Sequence, residues 1–205
     1  EDPHILMGFS ERVDKHTFAD LVARQDRAGM EQTLNKMPVE PGDMYIIRAG
    51  MPHAIGPGVF MVEVQEPTDW VVSAEFQVGE VRLSERAAFM GLSMDMALDV
   101  FDYHGPIGME AASSAVLMRR PGAVASETVL VGPQDTDCFA ASELTVICDT
   151  ADPYAGRPYS GIVTQGGGCI VVPGGEIPLR RGDTFFVPAS SWPASRRVDE
   201  SSGAA

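Results

Sequence analysis

The segment Pro38-Val-Glu-Pro-Gly-Asp-Met-Tyr-Ile-Ile-Arg-Ala-Gly-Met-Pro-His53 indicates the architecture of the chain, because a similar segment occurs near the other end. The second copy reads Pro178-Leu-Arg-Arg-Gly-Asp-Thr-Phe-Phe-Val-Pro-Ala-Ser-Ser-Trp-Pro193. Each copy has a Gly-Asp turn, a short apolar run and an Ala-Gly or Ala-Ser corner. Only the first copy ends in a histidine, which is a candidate metal ligand. The repeat therefore predicts one working barrel and one supporting barrel.

Short runs of β-branched and aromatic residues, separated by Gly and Pro, predict a mainly β chain of antiparallel jelly rolls. We expect strands over 4–9, 44–47, 59–65, 70–76, 129–131, 143–148, 161–164, 168–172 and 184–187. Apolar residues at helical spacing predict helical insertions, with one or two helices between 14 and 36 and more helix over 84–104. Residues 196–205 are a poor candidate for a further strand.

Composition excludes several classes of partner. The formal net charge of −14 disfavours nucleic acid and anionic membrane surfaces. No apolar run approaches the roughly 20 residues that a membrane span needs. The three cysteines, Cys138, Cys148 and Cys169, show no CxxC spacing, so we expect buried thiols in a reducing cytoplasm.

The turn and corner of the first copy form a recognisable motif. Gly42-Asp43-x4-Arg48-x-Gly50-x2-His53 resembles the second conserved motif of cupins, with Arg48 where that family usually has proline. The chain continues Ala-Ile-Gly-Pro-Gly-Val-Phe-Met-Val-Glu63-Val-Gln65-Glu-Pro-Thr-Asp69, which resembles type I phosphomannose isomerases. The second, histidine-free copy resembles the C-terminal half of that family. The resemblance implies tandem cupin barrels, that is, double-stranded β-helices, with helical insertions.

This resemblance also implies a domain organisation. Residues 1–104 would be the C-terminal part of the first, metal-site barrel with its helical insertions. Residues 105–125, rich in Gly, Ala and Ser, would be a linker, and residues 126–205 would form the second, degenerate barrel.

The function implied by the resemblance is a zinc-dependent aldose–ketose isomerase. Such an enzyme interconverts mannose 6-phosphate and fructose 6-phosphate by moving a proton between C1 and C2 through a cis-enediol. One zinc ion would lie in the first barrel, and His53 matches its last ligand. Glu63 and Asp69 match acidic residues that line the family's pocket. The implied partner is a small sugar phosphate, and we expect a monomer or homodimer.

The residues themselves agree with a polar pocket. Glu63 and Gln65 are two apart, so on a strand they face the same side, among Val, Phe and Met neighbours. Polar side chains in such a setting need a partner, and a substrate or metal in the lumen would supply one. Two positions keep two interpretations. Arg48 is a phosphate ligand or a rim cation, and Asp69 is a pocket acid or part of a Thr-Asp turn.

Two departures from the family bear on activity. A catalytic zinc needs about three protein ligands, and residues 1–37 offer no such set. We therefore expect the chain to be the C-terminal part of a longer protein, with the remaining zinc ligands outside it. In addition, Ser73 stands where the isomerases carry an arginine that contacts substrate. The loss of that cation would cost on the order of 10²-fold in rate.

These departures leave a rival hypothesis open. A non-catalytic cupin-fold protein that binds or senses a sugar would share the barrels and tolerate Ser73. A metal-dependent oxygenase on the same barrel fits less well, because such enzymes usually present a histidine-rich facial set of ligands.

Overall fold

A computed structural model describes residues 2–66, 68, 70–123, 126–154, 156–191 and 195–198. The strands are β1 (His4–Phe9), β2 (Leu34–Pro38), β3 (His53–Ile55), β4 (Gln77–Val78), β5 (Val81–Arg82), β6 (Arg120–Pro121), β7 (Glu127–Val131), β8 (Ala141–Leu144), β9 (Thr150–Ala151), β10 (Tyr159–Ile162), β11 (Gly167–Val172), β12 (Gly175–Arg180), β13 (Thr184–Val187) and β14 (Ser195–Val198). The helices are α1 (Lys15–Arg24), α2 (Arg27–Gln32), α3 (Glu85–Ala88), α4 (Met94–Leu98) and α5 (Gly108–Ser114), and a 3-10 turn covers Ala189–Ser191.

The chain divides into two compact units. One unit comprises the residues up to 118 together with 133–139, and the other comprises 119–132 and the residues from 140 onward. The strand pairs that the structure describes are antiparallel, which confirms the predicted mainly β class. The described helices are too short and too polar to cross a membrane.

The first unit is built on a sheet in the order β2-β1-β3. Ile5 pairs with Met37 of β2 on one side and with Ile55 of β3 on the other. Directly opposite residues of an antiparallel ladder share a face. Ile5 and Met7 therefore define one face, which we call the inner face, and both are buried in a cluster with Ala115.

Helices α1 and α2 are inserted between β1 and β2 and build a core of their own. Asp14 caps α1 by accepting a hydrogen bond from the backbone N of Thr17 at 2.8 Å. Phe18 and Val22, four residues apart on one helix face, are buried against Phe9 and against residues of α4. The helical insertions predicted over 14–36 and 84–104 are thus confirmed.

Helix α5 lies inside the stretch that the sequence predicted to be a linker. It packs on β1, where Gly8 approaches the Ala111 side chain so closely that a Cβ on Gly8 would lie 2.7 Å from the Ala111 Cβ. The composition of this stretch, rich in small residues, predicted a linker. In the structure the small side chains instead permit a helix and a strand to pack closely. The boundaries given above for the two predicted barrels stay predictions.

In the second unit, β11 and β12 form a hairpin and β14 pairs with the other side of β11. Strand β9 completes this sheet, in the order β12-β11-β14-β9, and β10 pairs with β13 in a second sheet. The expectation that 196–205 holds no strand was wrong. Ser195–Val198 pairs with a strand on each side, and backbone hydrogen bonding there outweighs a weak apolar pattern.

The sequence repeat is also a structural repeat. Gly42 has φ 96° and Gly182 has φ 92°, a region that glycine adopts without strain. Asp43 Oδ2 accepts from the backbone N of Glu40 at 2.9 Å, and Asp183 Oδ2 accepts from that of Arg180 at 2.8 Å. The two Gly-Asp turns therefore share their geometry and their hydrogen bonds.

The cores on either side of these turns correspond as well. Three residues around each turn glycine pack into a hydrophobic cluster: the residue three positions before it and those three and five positions after it. In the first unit this is the inner-face cluster of Ile5, Met7 and Ala115, and in the second it is the cluster of Ile170 and Val187. The three residues are Val39, Tyr45 and Ile47 in the first unit and Leu179, Phe185 and Val187 in the second. By the same register, Ile5 of β1 corresponds to Ile170 of β11, because they pair with Met37 and Ile177.

Three strand predictions in the first unit were wrong. The expected strand over 44–47 is reduced to a single bridge, from Tyr45 to Val116. The described residues of 59–65 and 70–76 form no strand pair. A β-rich sequence still needs a neighbouring strand. Beside 44–47 lies only a short stretch, with hydrogen bonds from Ile46 N to the carbonyl of Ala115 and from Leu117 N to that of Met44, and the described chain provides no strand beside 59–65 or 70–76.

The prediction that the three cysteines are buried was also wrong. Cys138 and Cys148 are exposed and Cys169 is half-buried, and none of the three forms a disulfide in the described structure. Cys138 and Cys148 lie in turns at the surface, where a small side chain is accommodated whatever its hydrophobicity.

Candidate functional site

His53 is placed on the inner face by strand register. It lies on β3 directly opposite Met7, so its side chain projects from the same face as that buried methionine. Met7 is fully buried, whereas the His53 side chain is exposed. The histidine thus lies at the solvent-accessible edge of the inner face, which also carries the cluster of Ile5, Met7 and Ala115.

The ring of His53 is held in one tautomer. Its Nδ1 lies 3.1 Å from the carbonyl oxygen of Met51, which can only accept, so Nδ1 carries the proton. In the neutral imidazole this leaves Nε2 with a free lone pair. A hydrogen bond from one ring nitrogen to a backbone carbonyl, with the other nitrogen on the metal, is the usual arrangement of a metal-bound histidine.

His53 is, however, a single donor. Across the described residues, no three His, Cys, Asp or Glu side chains come together in a group that could hold a metal. A catalytic zinc takes about three protein ligands. The donors in this part of the chain therefore fit one position of a metal site and do not complete it.

The structure places the other predicted site residues separately. Glu63 and Gln65 are exposed, and Gln65 donates to the carbonyl of Thr68 at 3.5 Å. Arg48 is exposed and donates to the carbonyl of Asp135 at 3.4 Å. In the described part of the chain no hydrogen bond or ion pair joins any of these three to His53, and Asp69 lies outside the described residues.

Ser73 belongs to a stretch that alternates like a strand. Val72, Ala74 and Phe76 pack against the helical core, so every second residue points inward. Ser73 lies between them and is half-buried, and its backbone N donates to the carbonyl of Ala88 at 2.9 Å. Ser73 is thus held beside that core by its backbone, and it does not belong to the cluster.

Gln25 is a positioning residue that the sequence did not point to. Its Nε2 donates to the carbonyl of Ala74 at 3.0 Å, and its Oε1 accepts from the backbone N of Phe76 at 2.7 Å. The side-chain amide thus takes the place of a neighbouring strand beside the stretch that carries Ser73. Gln25 ends α1 with φ 51°, a backbone state that no composition signal predicts for a glutamine.

The second unit has an apolar cavity at the corresponding cluster. Its volume is about 430 Å³, and its lining includes Ile170, Val172, Phe185 and Val187. Among the described lining residues, Ser190 is the only polar one. Pro193, which aligns with His53 in the repeat, lies outside the described residues. The described lining of this cavity offers no metal donor.

A comparison with known proteins finds the same architecture elsewhere. A mannose-6-phosphate isomerase of Streptococcus mutans is 26% identical over 196 residues, which are 94% of this chain and 56% of that protein. The crystal structure of the Bacillus subtilis mannose 6-phosphate isomerase matches with a TM-score of 0.69 at 18% identity, over 96% of this chain and 58% of that one. The chain has the fold of the mannose-6-phosphate isomerases.

A third match is to a structure that holds a substrate and a metal. The mannose 6-phosphate isomerase of Salmonella typhimurium, whose structure holds fructose 6-phosphate and zinc, matches with a TM-score of 0.64 at 14% identity. That match covers 95% of this chain and 61% of the Salmonella chain. No protein-family model matches the chain.

These relatives confirm the tandem cupin class and the resemblance stated from the sequence. The chain spans little more than half the length of the mannose-6-phosphate isomerases that it matches.

Proposed function

We propose that this chain forms part of a cytoplasmic, zinc-dependent mannose-6-phosphate isomerase. The observation that carries the proposal is His53, an inner-face histidine with Nε2 left free, on the fold of the mannose-6-phosphate isomerases. Bound zinc in such an enzyme acts as a Lewis acid on sugar oxygens. Three cysteines that form no disulfide in the described structure accord with a reducing compartment.

The roles proposed for the chain's own residues follow from their chemistry. His53 supplies one zinc ligand. Glu63 and Asp69 line the sugar pocket, with Gln65 beside them, and Arg48 is a candidate for the substrate phosphate. Because the described donors do not complete a metal site, we derive no reaction step through zinc.

Ser73 gives specific support to a second candidate, a non-catalytic protein that binds the sugar phosphate. A serine hydroxyl donates a hydrogen bond to a developing enediolate oxygen but brings no charge. A preorganised cation at that position is worth about 10²-fold or more in rate. The two candidates therefore differ in turnover and agree in binding.

The test uses a chimera in which this chain replaces the region of the Streptococcus mutans enzyme that it matches. Conversion of mannose 6-phosphate to fructose 6-phosphate would be followed by a coupled assay, and binding by calorimetry. The isomerase proposal predicts turnover that His53→Ala abolishes and that Ser73→Arg raises by about 10²-fold. Binding without turnover in both the chimera and its Ser73→Arg variant would favour the second candidate. A folded chimera that shows neither turnover nor binding would overturn both candidate functions.

A further inference from the structure

The cavity of the second unit lies where the first unit carries its candidate metal ligand. In the first unit, His53 lies directly opposite Met7 on the inner face. Ile5 of β1 corresponds to Ile170 of β11, so Met7, two residues further along, corresponds to Val172. Val172 lines the cavity. The two repeats therefore place different features at one position of the sheet, a histidine in the first unit and a cavity in the second.

The lining of the cavity selects against charged molecules. Apart from Ser190, the described lining residues are aliphatic, aromatic or proline, and none of them carries a charge. A charged group placed among such side chains would lose hydration without gaining a partner of opposite charge. The cavity thus suits an uncharged and largely apolar molecule, which is different in kind from the sugar phosphate proposed for the first unit.

The size and walls of the cavity narrow the class of ligand further. An apolar cavity of about 150 Å³ is large enough for benzene, so the cavity of about 430 Å³ has room for two fused rings. Phe185 and Phe186 both line it, and aromatic rings pack favourably against a flat aromatic ligand. Pro173 and Pro188 also belong to the lining, and the fixed φ of proline makes the wall stiffer against collapse.

Ser190 offers this cavity a single hydrogen-bonding side chain. It lies in the 3-10 turn Ala189–Ser191, and no described residue forms a hydrogen bond with its hydroxyl. A serine hydroxyl can donate one hydrogen bond and accept others. One hydroxyl on the ligand would therefore find a partner here, while a second polar group would meet only apolar side chains of the described lining.

We propose that the second unit binds a small, uncharged aromatic molecule that carries one hydroxyl group. Its rings lie against Ile170, Phe185 and their apolar neighbours, and its hydroxyl forms a hydrogen bond with Ser190. The second unit is then a binding unit of its own and not only a support for the first. This site does not depend on the isomerase proposal, and its test requires no turnover.

Equilibrium dialysis of the chain against 2-naphthol tests the site, because this probe combines two fused rings with one hydroxyl. We expect one molecule to bind per chain. Ile177 lines the cavity and is 49% exposed, so Ile177→Asp adds a carboxylate to the cavity at a partly solvated residue. This change should weaken binding by more than about 10-fold. The matched control Ile147→Asp, at a residue that is 83% exposed and outside the described lining, should leave binding unchanged.

Ser190→Ala separates the contribution of the hydroxyl from that of the rings. Naphthalene has the same two rings as 2-naphthol and no hydroxyl. The substitution should weaken the binding of 2-naphthol by about 3–10-fold, as the loss of one hydrogen bond does, and leave the binding of naphthalene unchanged. Because Ser190 is exposed, this variant should keep the urea unfolding midpoint of the unsubstituted chain.

Three results would overturn the proposal. One is the absence of 2-naphthol binding up to the solubility limit of the probe. Another is binding that Ile177→Asp leaves unchanged, since the probe would then occupy a different surface of the chain. The third is a Ser190→Ala variant whose affinities for 2-naphthol and naphthalene change by the same factor, because the hydroxyl would then have no partner at Ser190. Should Ile177→Asp not fold, the comparison of the two probes on Ser190→Ala decides.

Discussion

Replacing Gln25 should destabilise the first unit by about 2–3 kcal/mol, because one side chain holds two segments together. The side-chain Nε2 donates hydrogen bonds to the carbonyls of Val22 and Ala74 at 2.8 and 3.0 Å. The side-chain Oε1 accepts one from the backbone N of Phe76 at 2.7 Å. Each such bond contributes about 0.5–1.5 kcal/mol net, and a buried group left unpaired costs more. Gln25→Leu keeps the size of the side chain and removes all three bonds.

The assay combines urea unfolding with exchange of individual amides by NMR. A loss of about 2 kcal/mol corresponds to roughly 30-fold in the folded-to-unfolded ratio, and the Phe76 amide should lose protection first. The control is Gln32→Leu, at an exposed glutamine on α2, which should change the unfolding free energy by less than about 0.5 kcal/mol. If Gln25→Leu matches that control and the Phe76 amide stays protected, then Gln25 does not hold the stretch that carries Ser73.

The remaining predictions concern the repeat, the helix–strand contact and alkaline stability. Asp43→Ala and Asp183→Ala each remove the turn hydrogen bond and should cost about 1–2 kcal/mol in urea unfolding, with Asp43→Ala the costlier because it also removes the 3.3 Å bond from the Tyr45 hydroxyl. A cost in only one copy would refute the equivalence of the turns. Gly8→Ala should cost more than about 2 kcal/mol, because φ is +61° and the new Cβ would overlap Ala111, and adding Ala111→Gly should restore only part of it. Burial raises the pKa of Tyr103 from 10.0 to about 12. Between pH 10 and 12 the unfolded state loses the Tyr103 proton while the folded state keeps it, so the free energy of unfolding of the first unit should be constant below pH 10 and fall over that interval. Tyr103→Phe should abolish the fall. If the free energy of unfolding of Tyr103→Phe falls with pH as steeply as that of the unsubstituted chain, Tyr103 is not the cause.

The sequence predicted the parts of the fold that are set by local chemistry. The Gly-Asp turns need only a glycine at positive φ and an aspartate that accepts from the chain three residues earlier. Both requirements are visible in the repeat. The helices over 14–36 follow in the same way, from the Asp14 cap and the spacing of Phe18 and Val22.

The parts that escaped prediction depend on neighbours distant in sequence. The composition of 59–65 is that of a strand, but a strand forms only where another backbone lies beside it. Conversely, Ser195–Val198 has weak strand propensity and is paired on both sides. The hydrogen bonds of the Gln25 side chain join it to residues about fifty positions away, so no local sequence pattern predicts them.

Of the candidate site, the sequence predicted only the position of His53. The motif around Gly42 pointed to His53, and strand register puts that histidine on the inner face. The roles of Glu63, Gln65, Arg48, Asp69 and Ser73 stay predictions. Asp69 lies outside the described residues, and none of the other four shares a described hydrogen bond or ion pair with His53.

The proposed role of His53 as a zinc ligand can be measured as the zinc content of the chimera, with and without that histidine. Elemental analysis should find close to one zinc per chain, and His53→Ala should lose most of it. His104→Ala, at an exposed histidine, should retain the metal. A His53→Ala chimera that still holds one zinc per chain would show that His53 is not a ligand and would contradict the account.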